Sequence, residues 1–261
     1  MTRAMNRAYE RIRVASAGGV ATIVLDNPQR RNAIGPQMIN ELLWALDDAL
    51  GDDEVRSIVL TGEGKAFCAG GDFTAAPDRS VLPPKGDFAD LLLAIYQSDK
   101  PVIAKVNGDA MGGGLGLAAA STFAVASLNA RLGTPEIDLG IFPMMIMAVL
   151  ARHISRRRLT EMMLFGERFD AREAARLGLV NRAVPPEQLD AEVKKITDAI
   201  ASKSATTVRL GLRAFAAQDD FELERALPML RDRLADCLAT DDAREGLMAF
   251  LEKRPPRWTG K

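Results

Sequence analysis

Apolar residues along this chain fall into short continuous runs and into helical faces, in alternation. Val20-Ala-Thr-Ile-Val-Leu25 reads as a strand closed by the turn signal Asp26-Asn-Pro28. After Pro36, the positions Met38, Leu42, Leu43, Leu46 and Leu50 share one helical face. Ser57-Ile-Val-Leu-Thr61 and Val102-Ile-Ala-Lys-Val106 read as buried strands, with a helix from Asp87 to Ser98 between them. Asp72 to about Phe88 is rich in Pro, Asp and small residues and reads as a mobile loop. Further on, the small residues from Gly113 to Ala120 suit a tightly packed buried helix, and Phe123 to Ala126 a strand. Arg131-Leu-Gly-Thr-Pro-Glu136 leads into Gly140-Ile-Phe-Pro143. Met144 to Leu164 is predicted as one helix, Ala171 to Leu177 as a short helix stopped by Gly178, and Leu179 to Val184 as a short strand. From Pro186 onward no strand is predicted and the chain is helix-rich.

Both central strands run into glycine: Gly64-Lys-Ala-Phe-Cys-Ala-Gly-Gly-Asp72 after the first, Asn107-Gly-Asp-Ala-Met-Gly-Gly-Gly-Leu-Gly116 after the second. Glycine lets the backbone turn with φ > 0 and approach a ligand closely. Two such loops can aim two main-chain N–H groups at one oxygen, the arrangement of an oxyanion hole, which stabilises negative charge as a reaction develops it. That pairing marks the chain as an enzyme. Other readings of the loops are weaker. Gly62-Glu-Gly-Lys65 lacks phosphate-loop spacing and is followed by Ala66 where Ser or Thr belongs. Gly112-Gly-Gly-Leu-Gly116 matches a dinucleotide fingerprint only loosely. Either loop alone is also compatible with a plain tight turn.

Composition narrows the field. The 261 residues suit one large domain or a domain with an appendage, and a 48% hydrophobic content fills a substantial core. A net charge of −1 and 5% aromatic residues argue against a nucleic-acid surface. Cys68 and Cys237 give no disulfide framework, and with His153 as the single histidine no metal site is expected. No apolar run reaches the ~20 residues of a membrane span, and Met1 to Arg13 lacks the apolar centre of a signal peptide, so a cytoplasmic protein is expected. Cys68 reads as a buried small residue, since no histidine is placed to activate it. His153, among Arg152, Arg156, Arg157 and Arg158, reads as part of a solvated or subunit-contact helix face.

Taken in order, the glycine loops resemble a known family. The strings Gly64–Asp72, Pro101-Val-Ile-Ala-Lys-Val-Asn-Gly108, Gly112-Gly-Gly114, Thr134-Pro-Glu136, Gly140-Ile-Phe-Pro143, Ala174-Ala-Arg-Leu-Gly-Leu-Val180 and Ala239-Thr-Asp-Asp-Ala-Arg-Glu-Gly246 resemble the crotonase superfamily of enoyl-CoA hydratases and isomerases. The resemblance runs from about Val20 to the C-terminus. It implies an α/β fold, a crotonase-type spiral of repeated ββα units over 1–200, with a helical C-terminal trimerisation region over 201–261. It also implies a homotrimer or homohexamer acting on an acyl-CoA, with CoA as part of the substrate and no separate cofactor, nucleic acid or membrane partner. Carried over by position, the backbone N–H groups of Gly71 and Gly113 would hold the thioester oxygen and Glu136 would be the general acid/base. Ala69, Gly70, Gly71 and Asp72 would line the CoA path, Arg30 would meet a CoA phosphate, and Phe250 and Lys253 would reach the CoA of a neighbouring subunit.

Two positions depart from the family pattern. Hydratases of the familiar kind use two glutamates; the second matches Glu136, but the first falls on Gly116. A single carboxylate suffices to shift a double bond, so the departure favours isomerisation over hydration, and a glutamate restored at 116 is expected to favour hydration. Met144-Met-Ile-Met147 replaces a glycine-rich run, and shaping an acyl pocket or ordinary helix packing explains it equally well. A thioester hydrolase, and a non-catalytic acyl-CoA-binding protein, are the alternative functions.

Overall fold

The computed structural model describes residues 7–74 and 81–260. Strands β1 (Ile12–Ala17) and β2 (Val20–Leu25) form an antiparallel hairpin across Gly18-Gly19. Both turn glycines have positive φ, 58° and 79°, as a two-residue hairpin requires. β1 carries too few buried apolar positions to stand out as a run: Ile12 is buried, but Arg13, Ala15 and Ala17 face solvent. Helix α1 (Pro36–Gly51) follows, burying Met38, Leu42, Leu43 and Leu46, while Leu50 at its last turn is half-buried.

A unit then repeats. β3 (Ser57–Gly62) and β4 (Ala66–Cys68) precede α2 (Phe88–Tyr96); β5 (Val102–Val106) and β6 (Asp109–Met111) precede α3 (Gly113–Ala120); β7 (Phe123–Ser127) and β8 (Arg131–Gly133) precede α4 (Met144–Leu150) and α5 (Arg156–Phe165). β9 (Arg168–Asp170), α6 (Ala171–Arg176) and β10 (Arg182–Val184) complete the series. The first strand of each pair joins a six-stranded sheet, β1-β2-β3-β5-β7-β10, and the second a four-stranded sheet, β4-β6-β8-β9. The chain thus winds as a spiral of ββα units, as expected. Of the short second strands, β4 and β6 lie inside what the sequence presents as glycine loops, so their pairing is invisible to periodicity.

From β2 to β10 the first sheet is parallel, and its central strands are covered on both faces. On one face Leu60, Ala104 and Val106 join the main core with α1, α2 and α3. On the other, Val59, Ile103 and Val125 pack against Leu189 and Val193 of α7 (Leu189–Ala201). Three helices close the chain: α8 (Ala205–Gln218), α9 (Leu223–Leu238) and α10 (Asp241–Leu251).

Two expectations are corrected. The helix over Met144–Leu164 is broken at 151–155, where Ile154 turns into the core and the His153 ring lies 2.7 Å from the Ala119 carbonyl. His153 is therefore in a turn, not on a helix face. The strand over Leu179–Val184 begins only at Arg182, because Leu179 and Val180 are core residues of the preceding turn. Part of the expected loop over 72–88 falls on 75–80, outside the described residues. Its later part is strapped to α1: the Trp44 indole donates to the Pro83 carbonyl, and Asn40 bonds the backbone of Leu82 and Lys85. Among the described residues no helix is long and apolar enough to cross a membrane.

Candidate active site

The two glycine loops meet because strands β3 and β5 are neighbours and both run into the second sheet at the same end. Two asparagines hold the first loop in place. Asn32, fully buried with φ 57°, donates from Nδ2 to the carbonyls of Glu63 and Ala66 and accepts the Asn27 N–H. The left-handed backbone is one that Asn tolerates better than most residues. Asn107, at the end of β5, accepts the Gly62 N–H and donates to the Gly64 carbonyl. Neither role is legible from hydrophobic pattern, because each depends on carbonyls brought in by the fold.

Contact between the loops is close. A Cβ at Gly114 would lie 2.7 Å from Cys68 Cβ, so only glycine lets the start of α3 sit against the end of β4. A Cβ at Gly70 would be 3.8 Å from the Gly113 nitrogen, which places the first loop beside the N-terminus of α3. Ile34 bridges to Gly71 in parallel fashion, receiving the Asp72 N–H and donating to the Gly70 carbonyl. That pattern turns the N–H of Gly71 itself away from Ile34. Gly113 is the first residue of α3, where helical geometry provides no acceptor. Neither N–H enters any described hydrogen bond.

Both loops open on one cavity of about 620 Å³, lined by Ala69–Phe73, Met111–Gly113, Pro135–Glu136 and Ile141–Ile146 among others. Glu136 lies in a 3-10 turn (Pro135–Leu139) that follows β8. Its carboxylate lies against Gly112, where a Cβ would be only 3.0 and 3.1 Å from its two oxygens. One oxygen, Oε2, is buried without a hydrogen-bond partner among the described residues. Burial pushes the carboxyl above its ordinary value, and its own backbone N–H offsets that only in part. A half-buried carboxylate with one unpartnered oxygen thus shares the cavity with two N–H groups that enter no described hydrogen bond.

The structure brings Glu136, Gly71, Gly113, Ala69, Gly70 and Asp72 to one cavity. Arg30 sits beside it, pairing with Asp72 at 2.8 Å and bonding the Thr74 hydroxyl at 2.7 Å. Phe250 and Lys253 are not brought to the cavity of their own chain. Phe250 projects from α10 with 81% of its surface exposed, and Lys253 follows in a left-handed turn. Cys68 is completely buried and its thiol is pushed up to about 12 by burial, which fits an inert packing residue. Met144 and Met145 line the cavity, Ile146 both lines it and belongs to the core, and Met147 packs against the core, so the run is divided between the two surroundings. Asp138, Arg168, Phe73 and Phe88 also line it and carry no sequence signal of that role.

The family model for enoyl-CoA hydratase/isomerase matches residues 15–261. A putative enoyl-CoA hydratase of Thermus thermophilus is 37% identical over 247 residues, covering 92% of this chain and 98% of the relative. The crotonyl-CoA hydratase of Syntrophomonas wolfei is 35% identical, covering 97% and 100%. Among solved structures, an enoyl-CoA hydratase of Mycobacterium smegmatis superposes with a TM-score of 0.88 at 34% identity, covering 95% of this chain and 99% of that one. Human enoyl-CoA hydratase domain-containing protein 3 gives 0.88 at 31% identity, covering 95% and 100%. The chain belongs to the enoyl-CoA hydratase/isomerase family of the crotonase superfamily.

Proposed function

We propose that this protein acts on an acyl-CoA thioester through an enolate, with Glu136 moving the proton and the N–H groups of Gly71 and Gly113 holding the thioester oxygen. The observation that carries the reading is the shared cavity: an unpartnered buried carboxylate oxygen and two uncommitted backbone donors line the same space. The donors act as the charge moves from carbon to oxygen, and the raised basicity of Glu136 brings it closer to the neutral-pH optimum of a general base. With one carboxylate, the proton taken from the α-carbon of a 3-enoyl thioester returns to the γ-carbon, and the double bond moves into conjugation. Isomerisation is therefore favoured over hydration. Hydration is the second reading, and it is supported by the names of the relatives, which include a crotonyl-CoA hydratase.

CoA would enter along Ala69–Asp72 past Arg30. The C-terminal helices expose Leu223, Leu227, Leu234, Leu238 and Leu247, an apolar surface that supports assembly into a trimer or hexamer. In such an assembly Phe250 and Lys253 would reach a neighbour's CoA. The test is a panel of 2-enoyl-CoA and 3-enoyl-CoA esters in deuterated water, following α- and γ-proton exchange, double-bond shift and hydration. Exchange and shift are expected in the wild type. Absence of all three across the panel, or calorimetric binding of NAD with no response to CoA, would overturn the reading.

A further inference from the structure

The two departures at Gly116 and Met144–Met147 are distant in the chain but meet in the fold. Gly113 and Gly116 lie three residues apart on α3, hence on one face, and α4 packs across it. A Cβ built at Gly116 would come under 3.0 Å from Ile146 Cγ2, a separation real Cβ atoms do not show. It would also lie 3.1 Å from Ile146 Cβ and 3.5 Å from Leu92 Cδ2. Ile146 lines the cavity and is 3% exposed; Gly116 lies behind it. A β-branched side chain on a helix has essentially one favoured χ1, so it does not swing aside at low cost. Ile146 therefore stands where a side chain at position 116 would have to enter the cavity.

The chemical consequence concerns water. A held water molecule needs two to four polar partners. The stretch of wall from Phe142 to Ile146 offers Phe, Pro, Met, Met and Ile, with no hydrogen-bonding side chain. We infer that Ile146 is a specificity-determining residue: it fills the space of a polar side chain at 116, keeps water from the β-carbon of a bound enoyl thioester, and commits the enolate to proton return. The inference rests on Glu136 acting as proposed above. In proton return, the carboxylate takes the α-hydrogen of a 3-enoyl thioester and the resulting acid gives it to the γ-carbon as C3=C4 becomes C2=C3. Nothing is gained or lost. In hydration one water adds, its hydroxyl to C3 and a proton to C2.

The test compares wild type with Ile146→Ala, Gly116→Glu and the double variant Gly116→Glu/Ile146→Ala, using a four-carbon 2-enoyl-CoA for hydration and a 3-enoyl-CoA for isomerisation. The double variant is expected to raise the ratio of hydration to isomerisation by about 10²-fold, the lower end of what a general acid/base contributes. Gly116→Glu alone is expected to gain little, which corrects the expectation drawn from the sequence, because Ile146 occupies the space the new side chain needs. A parallel cycle reads the steric half without any turnover: Gly116→Ala should lower Tm in the wild-type background and much less beside Ile146→Ala. Hydration by Gly116→Glu alone equal to that of the double variant would overturn the inference. So would additive Tm changes, or a wild type that hydrates the 2-enoyl ester faster than it isomerises the 3-enoyl ester. If the wild type shows no α-proton exchange in deuterated water, the Glu136 reading itself falls and this inference falls with it. Failure confined to Ile146 looks different, because exchange persists and the partition ignores position 146.

Discussion

Glu136 is half-buried and Asp242 fully buried, and the chain treats the two carboxylates in opposite ways. Asp242, 1% exposed at the start of α10, accepts the Ser204 hydroxyl at 2.6 Å, the Thr259 N–H and hydroxyl at 2.6 and 3.0 Å, and the Gly260 N–H. Burial pushes its carboxyl up, but these bonds outweigh that and hold it below its ordinary value. Glu136 has a buried oxygen with no partner among the described residues, and burial raises its carboxyl. Satisfied, a buried carboxylate fastens the C-terminal tail to α8 and α10. Glu136 instead lines the cavity, with its carboxylate against Gly112. The contrast is what a structural role for Asp242 and the proton-transfer role proposed for Glu136 would each require.

The sharpest way to break that comparison is Glu136→Gln, which keeps size and polarity and removes the base. Turnover is expected to fall by about 10²- to 10⁴-fold while acyl-CoA affinity stays near the wild-type value, measured by steady-state kinetics and calorimetry. Stability should move the other way. A carboxyl raised in the folded state costs stability once pH rises past its unfolded value, because the folded chain then binds more protons than the unfolded one. At neutral pH Glu136→Gln should thus match or exceed the wild-type Tm, and the advantage should vanish below pH 4.5, the ordinary value of the group. The same shift places the acid limb of the wild-type rate profile above 4.5. A variant both inactive and strongly destabilised would make Glu136 a structural residue like Asp242.

Next in size is Gly113→Pro, which deletes one donor. Proline is best tolerated at the first position of a helix, and Gly113 is that position in α3, although Phe88 must yield because its Cζ lies 3.2 Å from the site of a Cβ. Loss of one such donor costs about 10²- to 10³-fold in kcat. Wild-type rates from a variant of unchanged circular dichroism and CoA affinity would remove Gly113 from the site.

How much of this was legible in the sequence follows from what each feature depends on. The buried strands and α1 were, because continuous apolar runs and a helical face are local patterns. The pairing of glycine loops was, because each follows such a run. β1 was not, although Gly18-Gly19 is a hairpin signal, because β1 has no continuous apolar run and alternates weakly. The break after Leu150 was hidden because Ile154 leaves the helix for a core that other segments build. Asn32, Asn107 and Ile146 were hidden for the same reason: their partners come from elsewhere in the fold. At Gly116 the sequence shows a missing side chain, and the structure adds that Ile146 occupies the space such a side chain would need.

Asp242→Ala tests the other side of the comparison. It strands the Ser204 hydroxyl and the N–H groups of Thr259 and Gly260 near the Trp258 ring, which packs 3.3 Å from the site of a Cβ at Gly246. A loss of about 1–3 kcal/mol is expected in urea unfolding, with turnover per folded molecule unchanged. The sign with pH is opposite to that of Glu136. A depressed carboxyl contributes stability above its unfolded value of 3.8 and loses it as pH falls through the folded one, so wild type and variant should converge in acid. Reduced turnover in the folded variant would show that the two regions are coupled.

The smallest effect is expected at Arg30, where the comparison is sharpened by a carboxylate that is neither buried alone nor fully committed. Asp72 holds Arg30 at 2.8 Å, with the arginine side chain 51% exposed and the aspartate 9%. An ion pair this open to water stabilises the fold by at most about 1 kcal/mol, so Arg30→Ala should leave Tm nearly unchanged. Its effect belongs to binding. If the guanidinium turns from Asp72 and Thr74 to a CoA phosphate, it exchanges one charged partner for another, and the net gain is only the difference between them. Affinity for CoA should then weaken by roughly fivefold, or about 1 kcal/mol, and the difference from wild type should shrink as salt is raised. Arg30→Lys keeps the charge but not the fork that engages Asp72 and Thr74 together, and it should recover part of the affinity. Calorimetry with CoA and with dephospho-CoA at low and high ionic strength decides it. If Arg30→Ala binds both as the wild type does at low salt, the arginine serves only to hold Asp72 at the cavity mouth.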